Sequence, residues 1–316
     1  MLTATTTIRH TEDPLERAHA HLLESVLRAI PADGLCETGI PGLRLYRRSE
    51  PTACASAHYE PELIFFIQGE KRIELGTREL TCDSKHFLLT SIDLPVSSQV
   101  TQATAEHPIL GLILRLDMPL IREILAQEDF LSSTLGSGSP RGMTVGRSTL
   151  ELTDAFQRLL NLTGTPEHIP FLSSLIQREI LYRLLRGPEG RHLRAIATLG
   201  EQSNRTARAV AWLRDNFSKP LRVEDLASMA QMGVSTFHHH FRTLTAMSPL
   251  QYQKQLRLHV AREKMLNSGL DATSAAFEVG YESPSQFNRE YRRFFGQPPM
   301  RDVKARKSSN EFAMAE

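Results

Sequence analysis

The chain has 316 residues, of which 41% are hydrophobic and 23% are charged, and its formal net charge is +1, as in an ordinary soluble protein of two or three domains. No apolar run approaches the roughly 18 residues that a membrane span requires, and the N-terminus lacks the apolar segment of a signal peptide. The cysteines, Cys36, Cys54 and Cys82, are widely spaced and odd in number, which predicts reduced thiols in a cytoplasmic protein and not a disulfide framework or a zinc site.

The first part of the chain predicts one helix followed by a β-rich region. Residues 1–38 form an N-terminal helical segment, in which the helix "LERAHAHLLESVLRAI" is ended by Pro31 and Gly34. From about residue 40 to 116, short apolar runs alternate with turn residues, as in "ELIFFIQGEKRIELGTREL". This pattern predicts a small β-sandwich or barrel.

Helical periodicity returns after the β-rich region. A helix is predicted over 118–130, followed by a loop over 132–146. The next helix is expected to have Ser148 as its N-cap and Gly164 as its C-cap. The stretch 188–204 is expected to be a linker.

A further helix, "FLSSLIQREILYRLLRG", ends at Gly187 and carries an apolar stripe with one polar gap at Glu179. The apolar members of the stripe are Leu172, Leu175, Ile176 and Ile180. The stripe is either part of the core or a contact with the same helix of a second subunit.

The last hundred residues contain a repeat with an offset of fifty positions. In each copy, a short apolar helix is followed by a turn of small residues and by a longer helix with aromatic residues four positions apart. Two helices joined in this way, the second amphipathic, form a helix-turn-helix unit. The pairs at this offset are Ser235 and Ser285, Phe237 and Phe287, Phe241 and Tyr291, Arg242 and Arg292, Ala246 and Gly296, and Pro249 and Pro299.

The segment 249–266 is predicted to be a helix that bridges the two copies. It has two apolar stripes, so it can pack against both units and fix their separation. A helix of about 18 residues rises roughly 27 Å. This length is close to the ~34 Å between successive major-groove faces of B-DNA, so one chain is expected to place two helices in adjacent turns of the groove. The stripes are Tyr252, Leu256 and Val260, and Leu258, Ala261 and Met265.

Charge is unevenly distributed along the chain. From Arg205 to the end there are 17 Lys and Arg against 11 Asp and Glu, whereas the first 204 residues have 20 against 25. The basic C-terminal part is a candidate for binding a polyanion. An excess of this size is also compatible with an ordinary protein surface.

The C-terminal hundred residues resemble the DNA-binding domain of the AraC/XylS family of bacterial transcription regulators. The resemblance covers about 205–305, and residues 40–120 resemble the β-rich N-terminal domain of one branch of that family, through "YEPELIFFIQGEKRIELG" and "LLTSIDLPV". The motifs in the C-terminal part are LA at 226–227, Phe237 and Phe241, SP at 248–249, RL at 257–258, GY at 280–281, Phe287, FG at 295–296 and PP at 298–299.

This resemblance implies an α+β protein in four parts. An N-terminal helical segment, 1–38, precedes a cupin-like β-barrel or sandwich with dimerisation helices, 39–187. A linker, 188–204, leads to an all-α DNA-binding domain, 205–307, in which a helix joins two helix-turn-helix units.

The sequence departs from the family pattern at two turns. Gly233 stands where many members have a serine N-cap, which weakens the cap by only a few tenths of a kcal/mol. Ala246 stands where many members have glycine, which costs more if the turn requires a left-handed backbone. Neither departure changes the predicted fold.

Three successive histidines, 238–240, fall on the second helix of the first unit. Successive helical residues point about 100° apart, so the three cannot bind one metal ion. Phe237 and Phe241 mark the buried face, so His240 is expected at the edge of the core and the other two histidines on the opposite face. There, imidazole can donate to or accept from base edges, the alternative being two solvated histidines. By resemblance, the predicted DNA contacts of this unit are Ser235, Thr236, His238 and His239, with Arg242 near phosphate.

In the second unit, Ser283 is the expected N-cap and Pro284 suits the first helical turn. Glutamine or asparagine can bridge adenine, and arginine can bridge guanine. The predicted base-reading set is Ser285, Gln286, Asn288 and Arg289, with Arg292 and Arg293 as phosphate contacts that position the helix without specifying sequence.

The β-rich domain leaves two functions open. A cupin-type metal enzyme is the first, since Glu62 and Gly69 have cupin-like spacing, His58 precedes Glu62 by four, and His86 is a possible later ligand. Ser56, however, stands where a histidine ligand is expected. No nucleophile motif, phosphate loop or pair of acids appears elsewhere, so no catalytic residue, metal or cofactor is predicted.

A small-molecule effector domain is the second function, and it is what the resemblance implies. Tyr59, Phe65, Phe66 and Phe87 either line the effector pocket or belong to the core. Cys54 and Cys82 either sense electrophiles or are ordinary buried thiols. The sequence does not identify the effector.

We therefore predict a cytoplasmic, effector-responsive transcription regulator that binds double-stranded DNA as a homodimer, with RNA polymerase as a further partner if it activates transcription. The alternative is a cupin-type metal-dependent enzyme fused to a nucleic-acid-binding module.

Overall fold

The computed structural model describes residues 13–127 and 139–314, with side chains to Arg306. Residues 1–12 of the predicted N-terminal segment, 128–130 of the helix predicted over 118–130 and 132–138 of the predicted loop lie outside the described residues. Helix α1 (Pro14–Ala29) begins after Asp13, whose carboxylate accepts a hydrogen bond from the N–H of Leu15 at 3.1 Å. The buried Leu22 and Val26 lie one turn apart and face the core of the N-terminal domain.

Within the described residues, ten strands form two antiparallel sheets. The larger sheet has the order β1-β2-β9-β4-β7-β10, and the smaller has the order β3-β8-β5-β6. The strands are β1 (Gly34–Glu37), β2 (Leu43–Arg48), β3 (Ala55–Tyr59), β4 (Glu62–Gln68), β5 (Glu70–Leu75), β6 (Arg78–Cys82), β7 (His86–Thr90), β8 (Leu94–Gln102), β9 (Ile109–Arg115) and β10 (Met143–Arg147).

Strand β4 shows how the N-terminal domain is layered. Alternate side chains point to opposite faces of a sheet. Leu63 and Phe65 therefore pack on a helical layer, whereas Ile64 and Phe66 face the smaller sheet. The predicted β-rich N-terminal domain is confirmed. The helical layer consists of α1 with α2 (Met118–Gln127), α3 (Leu150–Asn161), α4 (Ile169–Arg186) and α5 (Gly190–Ala197).

Three predicted boundaries differ from the structure. Thr149, not Ser148, is the N-cap of α3, and its side-chain oxygen accepts from the N–H of Leu152; the N–H of Ser148 donates to the carbonyl of Lys85. Helix α3 ends at Asn161, where a single 3-10 turn over Leu162–Gly164 follows. The stretch 188–204 is not a plain linker, because it contains α5. The buried residues of this helix recur at helical spacing between its arginines.

The C-terminal domain is entirely helical in the described part. Its elements are α6 (Gln202–Asp215), α7 (Val223–Met229), α8 (Val234–Thr245), α9 (Pro249–Asn267), α10 (Ala272–Glu278), α11 (Pro284–Phe295) and α12 (Pro299–Met314). Pairs α7–α8 and α10–α11 are the two helix-turn-helix units. No helix in the described ranges is long and apolar enough to cross a membrane.

Helix α9 bridges the units as its two stripes predict. Tyr252 and Leu256 belong to a core shared with the first unit, whereas Leu258 and Met265 belong to the core of the second. Its first turn is held by a capping box, in which Ser248 and Gln251 each accept from the other's backbone N–H. One rigid helix therefore sets the separation of the units.

The turns that follow α8 and α11 are left-handed in both copies of the repeat. Ala246 has φ +61° and Gly296 has φ +81°. The backbone position where the sequence departs from glycine is therefore the strained one, because a left-handed conformation brings Cβ close to the carbonyl oxygen.

Candidate nucleic-acid interface

Helix α8 presents one polar face to solvent because its opposite face is fixed by two aromatic rings. Phe237 and Phe241 are fully buried, with ring centroids 5.5 Å apart. Tyr252 of α9 packs edge-on against Phe241 at 5.7 Å, which prevents the helix from rotating. The exposed residues of this helix include all five predicted contacts: Ser235, Thr236, His238, His239 and Arg242.

The three histidines do not form a cluster. His238 and His239 are exposed, and His240 is half-buried at the edge of the core, as its place in the helix predicts. Burial, followed by the nearby charges of His239 and Arg205, lowers the pKa of His240. No group of three or more potential metal ligands occurs in the part of the chain that the structure describes.

Helix α11 repeats this construction in the second unit. Ser283 caps it by accepting from the N–H of Gln286 at 3.3 Å, and Pro284 occupies the first turn. Phe287 and Tyr291 are fully buried, and the Tyr291 hydroxyl donates to Asp302 of α12 at 2.8 Å. The predicted set Ser285, Gln286, Asn288, Arg289, Arg292 and Arg293 is exposed on the other face.

The arginines on these two faces lack acidic partners. Among residues 13–127 and 139–306, no carboxylate forms a salt bridge with Arg242, Arg289, Arg292 or Arg293, although many arginines elsewhere are paired. Three of them line an open groove of about 570 Å³ with Asn288, Gly296 and Pro298. Unpaired guanidinium groups beside exposed amide and imidazole groups can bind phosphates and base edges together.

Asp93 links the N-terminal domain to the C-terminal domain, a contact that sequence analysis missed although its motif "IDLP" was part of the resemblance. Its carboxylate accepts from Arg214 of α6 at 2.8 Å and lies 3.4 Å from Nε2 of His58. Its backbone carbonyl accepts from the Tyr252 hydroxyl at 2.8 Å. Burial alone would raise the pKa of Asp93, but the hydrogen bonds and charges of His58 and Arg214 outweigh it and lower the pKa.

The two domains also share a hydrophobic core. Ile92, in the loop before β8, and Leu94 of β8 lie in one cluster with Phe241 and Leu244 of α8. Two backbone contacts reinforce it: the N–H of Gly142 donates to the carbonyl of Leu244 at 3.0 Å, and the turn at Gly76 closely approaches the carbonyl of Ala246. The C-terminal end of α8 therefore packs against the N-terminal domain at the Gly76 turn and at the segment before β10.

The aromatic residues predicted to line an effector pocket do not converge. Tyr59 and Phe66 lie between the sheets, whereas Phe65 and Phe87 lie on the helical side of the larger sheet. Phe65 packs against Phe156 of α3 with ring centroids 4.8 Å apart. The reason is strand alternation, which sends neighbouring residues to opposite faces.

The space between the sheets contains a polar group as well. Glu62 is 5% exposed and pairs with Arg44 at 3.1 Å, but burial outweighs this charge and raises the pKa of Glu62 to about 7. The Lys71 ammonium lies 5.2 and 5.5 Å from the ring centroids of Tyr46 and Tyr59. Here a carboxyl group is held in an environment that favours its neutral form.

The residues considered as cupin ligands are engaged separately. His58 pairs with Asp93, Glu62 with Arg44, and His86 with Asp83 at 2.7 Å. They therefore do not form one ligand set.

All three cysteines are free thiols. Burial raises the pKa of Cys82 to about 12 and, together with Glu74, raises that of the exposed Cys54. Both thiols are thus protonated at neutral pH, which disfavours reaction with electrophiles.

Two family models match this chain. Residues 39–192 match the model described as "AraC-type transcriptional regulator N-terminus", and residues 226–305 match a model described as "Helix-turn-helix domain". Neither model describes an enzyme. Together they cover both domains that contribute to the surface described above.

Among proteins of known function, the chain is 30% identical over 136 residues to the HTH-type transcriptional regulator ExsA of Pseudomonas aeruginosa, covering 43% of this chain and 48% of ExsA. This match spans about half the length of that relative. The chain is 23% identical to the thermoregulatory protein LcrF of Yersinia pestis, covering 77% of this chain and 88% of LcrF. Among solved structures, ToxT from Vibrio cholerae has a TM-score of 0.54 at 9% identity, covering 83% of this chain and 97% of ToxT, which shows a shared fold.

Proposed function

The chain belongs to the AraC family of transcription regulators, and from this membership we propose that it binds double-stranded DNA through α8 and α11 and regulates transcription. One observation carries the proposal: the exposed faces of both second helices combine base-reading side chains with arginines that have no acidic partner among the described residues. Helix α9, with 19 residues, is about 28 Å long, which suits two adjacent turns of the major groove.

The proposal is tested by mapping the genomic binding sites and measuring affinity for a recovered site as a function of salt. Four to eight neutralised phosphates per subunit give a slope of roughly −4 to −7 in a plot of log affinity against log salt. His238→Gln/His239→Gln should weaken binding and relax preference in the part of the site that α8 reads. His107→Gln, at an exposed position of the N-terminal domain, is the control. A slope near zero for the wild type would contradict DNA binding.

The proposed oligomer is a homodimer formed through α4. Phe171 is 72% exposed and Leu175 51%, and they lie four residues apart on one face with the partly exposed Leu172. Such a stripe is more apolar than a solvated helix face requires. Phe171→Glu/Leu175→Glu should yield monomers in sedimentation experiments. Leu199→Glu, at a residue 74% exposed outside α4, should leave the dimer intact.

We further propose that the N-terminal domain binds a small-molecule effector where the domains meet. A cavity of about 490 Å³ is lined by Asp93, Arg115 and Met118 of the N-terminal domain and by Arg214 of the C-terminal domain. A molecule bound there would touch the ion pair that joins the domains. One solved form of ToxT is described with an unsaturated fatty acid bound, and we extend from it only the capacity of this fold to hold a small molecule.

The effector proposal is tested with the metabolites of the enzymes encoded beside the mapped binding sites. A change in DNA affinity on adding one of them identifies the effector. Met118→Trp, which fills the cavity, should abolish that change without altering DNA affinity in the absence of the metabolite. Leu35→Trp, at an exposed position, should respond like the wild type. An unchanged response in Met118→Trp would exclude this cavity.

The direction of regulation is proposed to be activation through RNA polymerase, because several relatives of the chain are named activators, including VirF of Yersinia enterocolitica, which is 25% identical over 77% of this chain. Transcription from a mapped promoter with purified polymerase should rise when the protein is added. A fall would identify a repressor.

A further inference from the structure

Two arginines of the N-terminal domain lie beside the C-terminal end of α8. Arg141 is adjacent to Gly142, whose N–H donates to the carbonyl of Leu244 at 3.0 Å. Arg78 is two residues from Gly76, where an added Cβ would lie only 2.4 Å from the carbonyl oxygen of Ala246. Because the chain spans at most about 3.6 Å per residue, the backbones of Arg141 and Arg78 lie within roughly 4 Å and 7 Å, respectively, of the glycines that make these contacts.

These two cations have no acidic partner. Within the described ranges, no carboxylate forms a salt bridge with Arg78 or Arg141, whereas Arg72, on the neighbouring strand β5, pairs with Glu79 at 3.2 Å. They repel each other instead: burial and then the charge of Arg141 lower the pKa of Arg78. Like charges placed together without compensation are unfavourable in the free protein.

A buried histidine holds this arrangement in place. His192 of α5 is 4% exposed, and its Nδ1 accepts from the N–H of Arg141 at 3.1 Å. Burial, followed by the charges of Arg191, Arg141 and Arg78, lowers the pKa of His192 to about 4. The ring is therefore neutral at physiological pH and fixes the segment that carries Arg141 without adding charge.

The same end of α8 carries Arg242, one of the proposed phosphate contacts, in its last turn. A helix inserted in the major groove has its ends near the rims of the groove, where the phosphates of both strands run. Guanidinium groups bind phosphate oxygens through paired hydrogen bonds, so unpaired arginines at such a rim match the chemistry of a DNA backbone.

We propose that Arg78 and Arg141 bind backbone phosphates next to the site of α8, so that the N-terminal domain forms part of the DNA-binding surface. The inference rests on the proposed DNA-binding function, and it requires that the two domains stay docked on the DNA. A DNA site shortened on the α8 side would lose these contacts while keeping the base contacts of both units.

The test uses the full chain and a recovered binding site with long flanks. Arg78→Gln/Arg141→Gln should reduce the steepness of the salt dependence by about 2, because each phosphate contact contributes about 0.9 to the slope. Trimming the flank on the α8 side should reduce the wild-type slope equally and leave the variant's slope unchanged. Arg72→Gln, the matched control on the same hairpin, should keep the wild-type slope.

The outcomes separate this inference from the function on which it rests. Steep wild-type salt dependence with an equal slope for the double variant would overturn the inference and leave DNA binding intact. A wild-type slope near zero would overturn both. If the double variant does not fold, Arg141→Gln alone decides, since Arg141 is exposed and should by itself reduce the steepness by about 1.

Discussion

Replacing Asp93 by asparagine should loosen the contact between the domains, because Asp93 is the carboxylate that both domains share. The change keeps the size of the side chain and the backbone carbonyl that Tyr252 binds, but it removes the negative charge facing Arg214 and His58. Any loss of stability therefore reports on the charge and not on a cavity.

The expected cost follows from the surroundings of the carboxylate. Hydrogen bonds to charged groups contribute about 1.5–3 kcal/mol. The Arg214 side chain is 41% exposed, so solvent screens the ion pair and the lower part of that range applies. We expect Asp93→Asn to lower the free energy of unfolding by about 2 kcal/mol at pH 7, measured by urea denaturation and circular dichroism.

The pH dependence provides an internal check. Because the pKa of Asp93 is lowered in the folded protein, its stabilisation is complete above its unfolded value of 3.8 and is lost as the pH falls through the folded pKa. The difference between variant and wild type should thus persist at pH 5 and shrink below pH 3.8. Glu79→Gln, which removes an exposed carboxylate within one domain, should change stability little. An Asp93→Asn variant as stable as the wild type at pH 7 would refute the proposed linkage.

Three further predictions concern single positions. Glu62→Gln should raise the free energy of unfolding by roughly 2–3 kcal/mol at pH 8. The folded pKa of this carboxyl is about 7, so the wild-type protein loses stability as the pH rises from 4.5 through 7. Urea denaturation across that range should show no such decline in the variant, and a persistent decline would contradict this origin. Ala246→Gly should raise the free energy of unfolding by about 0.5–1 kcal/mol, because glycine adopts the left-handed backbone without strain. The melting temperature should rise accordingly, and an unchanged melting temperature would show that Ala246 is not strained. Arg289→Ala should cost about 1–3 kcal/mol of binding free energy on the preferred DNA site and relax the sequence preference, whereas Arg292→Ala should weaken binding to all sequences equally. If the two variants behave alike in binding assays, α11 is rotated from the proposed register.

Docking of the first helix-turn-helix unit on the N-terminal domain connects that domain directly to the end of α8. Leu244 and Ala246, at the end of α8, touch the N-terminal domain through Gly142 and Gly76. In the described part of the chain, the second unit has a hydrophobic core of its own, and it is connected to the sheet through α9. A change at the domain contact would therefore reach both α8 and α9 directly, because Tyr252 of α9 donates to the carbonyl of Asp93, and it would reach α11 through α9.

Local periodicity was enough to predict the helical elements of the C-terminal domain and the facing of their side chains. The fifty-residue repeat identified both helix-turn-helix units, and the spacing of Phe237 and Phe241 was enough to orient α8 and to separate His240 from its two neighbours. The two stripes on α9 predicted its bridging role, since a helix with two apolar faces must pack on both sides. Helical periodicity carries this information because it depends only on neighbours within one or two turns.

How the domains meet, and which face of each strand lies inside, depends on contacts between distant parts of the chain. Asp93 and Tyr252 are 159 residues apart in the chain, and no local pattern pairs a carbonyl in one domain with a hydroxyl in the other. Phe65 and Phe66 are adjacent in sequence and lie on opposite sides of the larger sheet. Both faces of that sheet are buried and apolar, so β4 shows no alternation of polar and apolar residues from which the facing of each side chain could be predicted. These contacts depend on packing between residues far apart in the chain, which the local pattern of a single sequence does not predict.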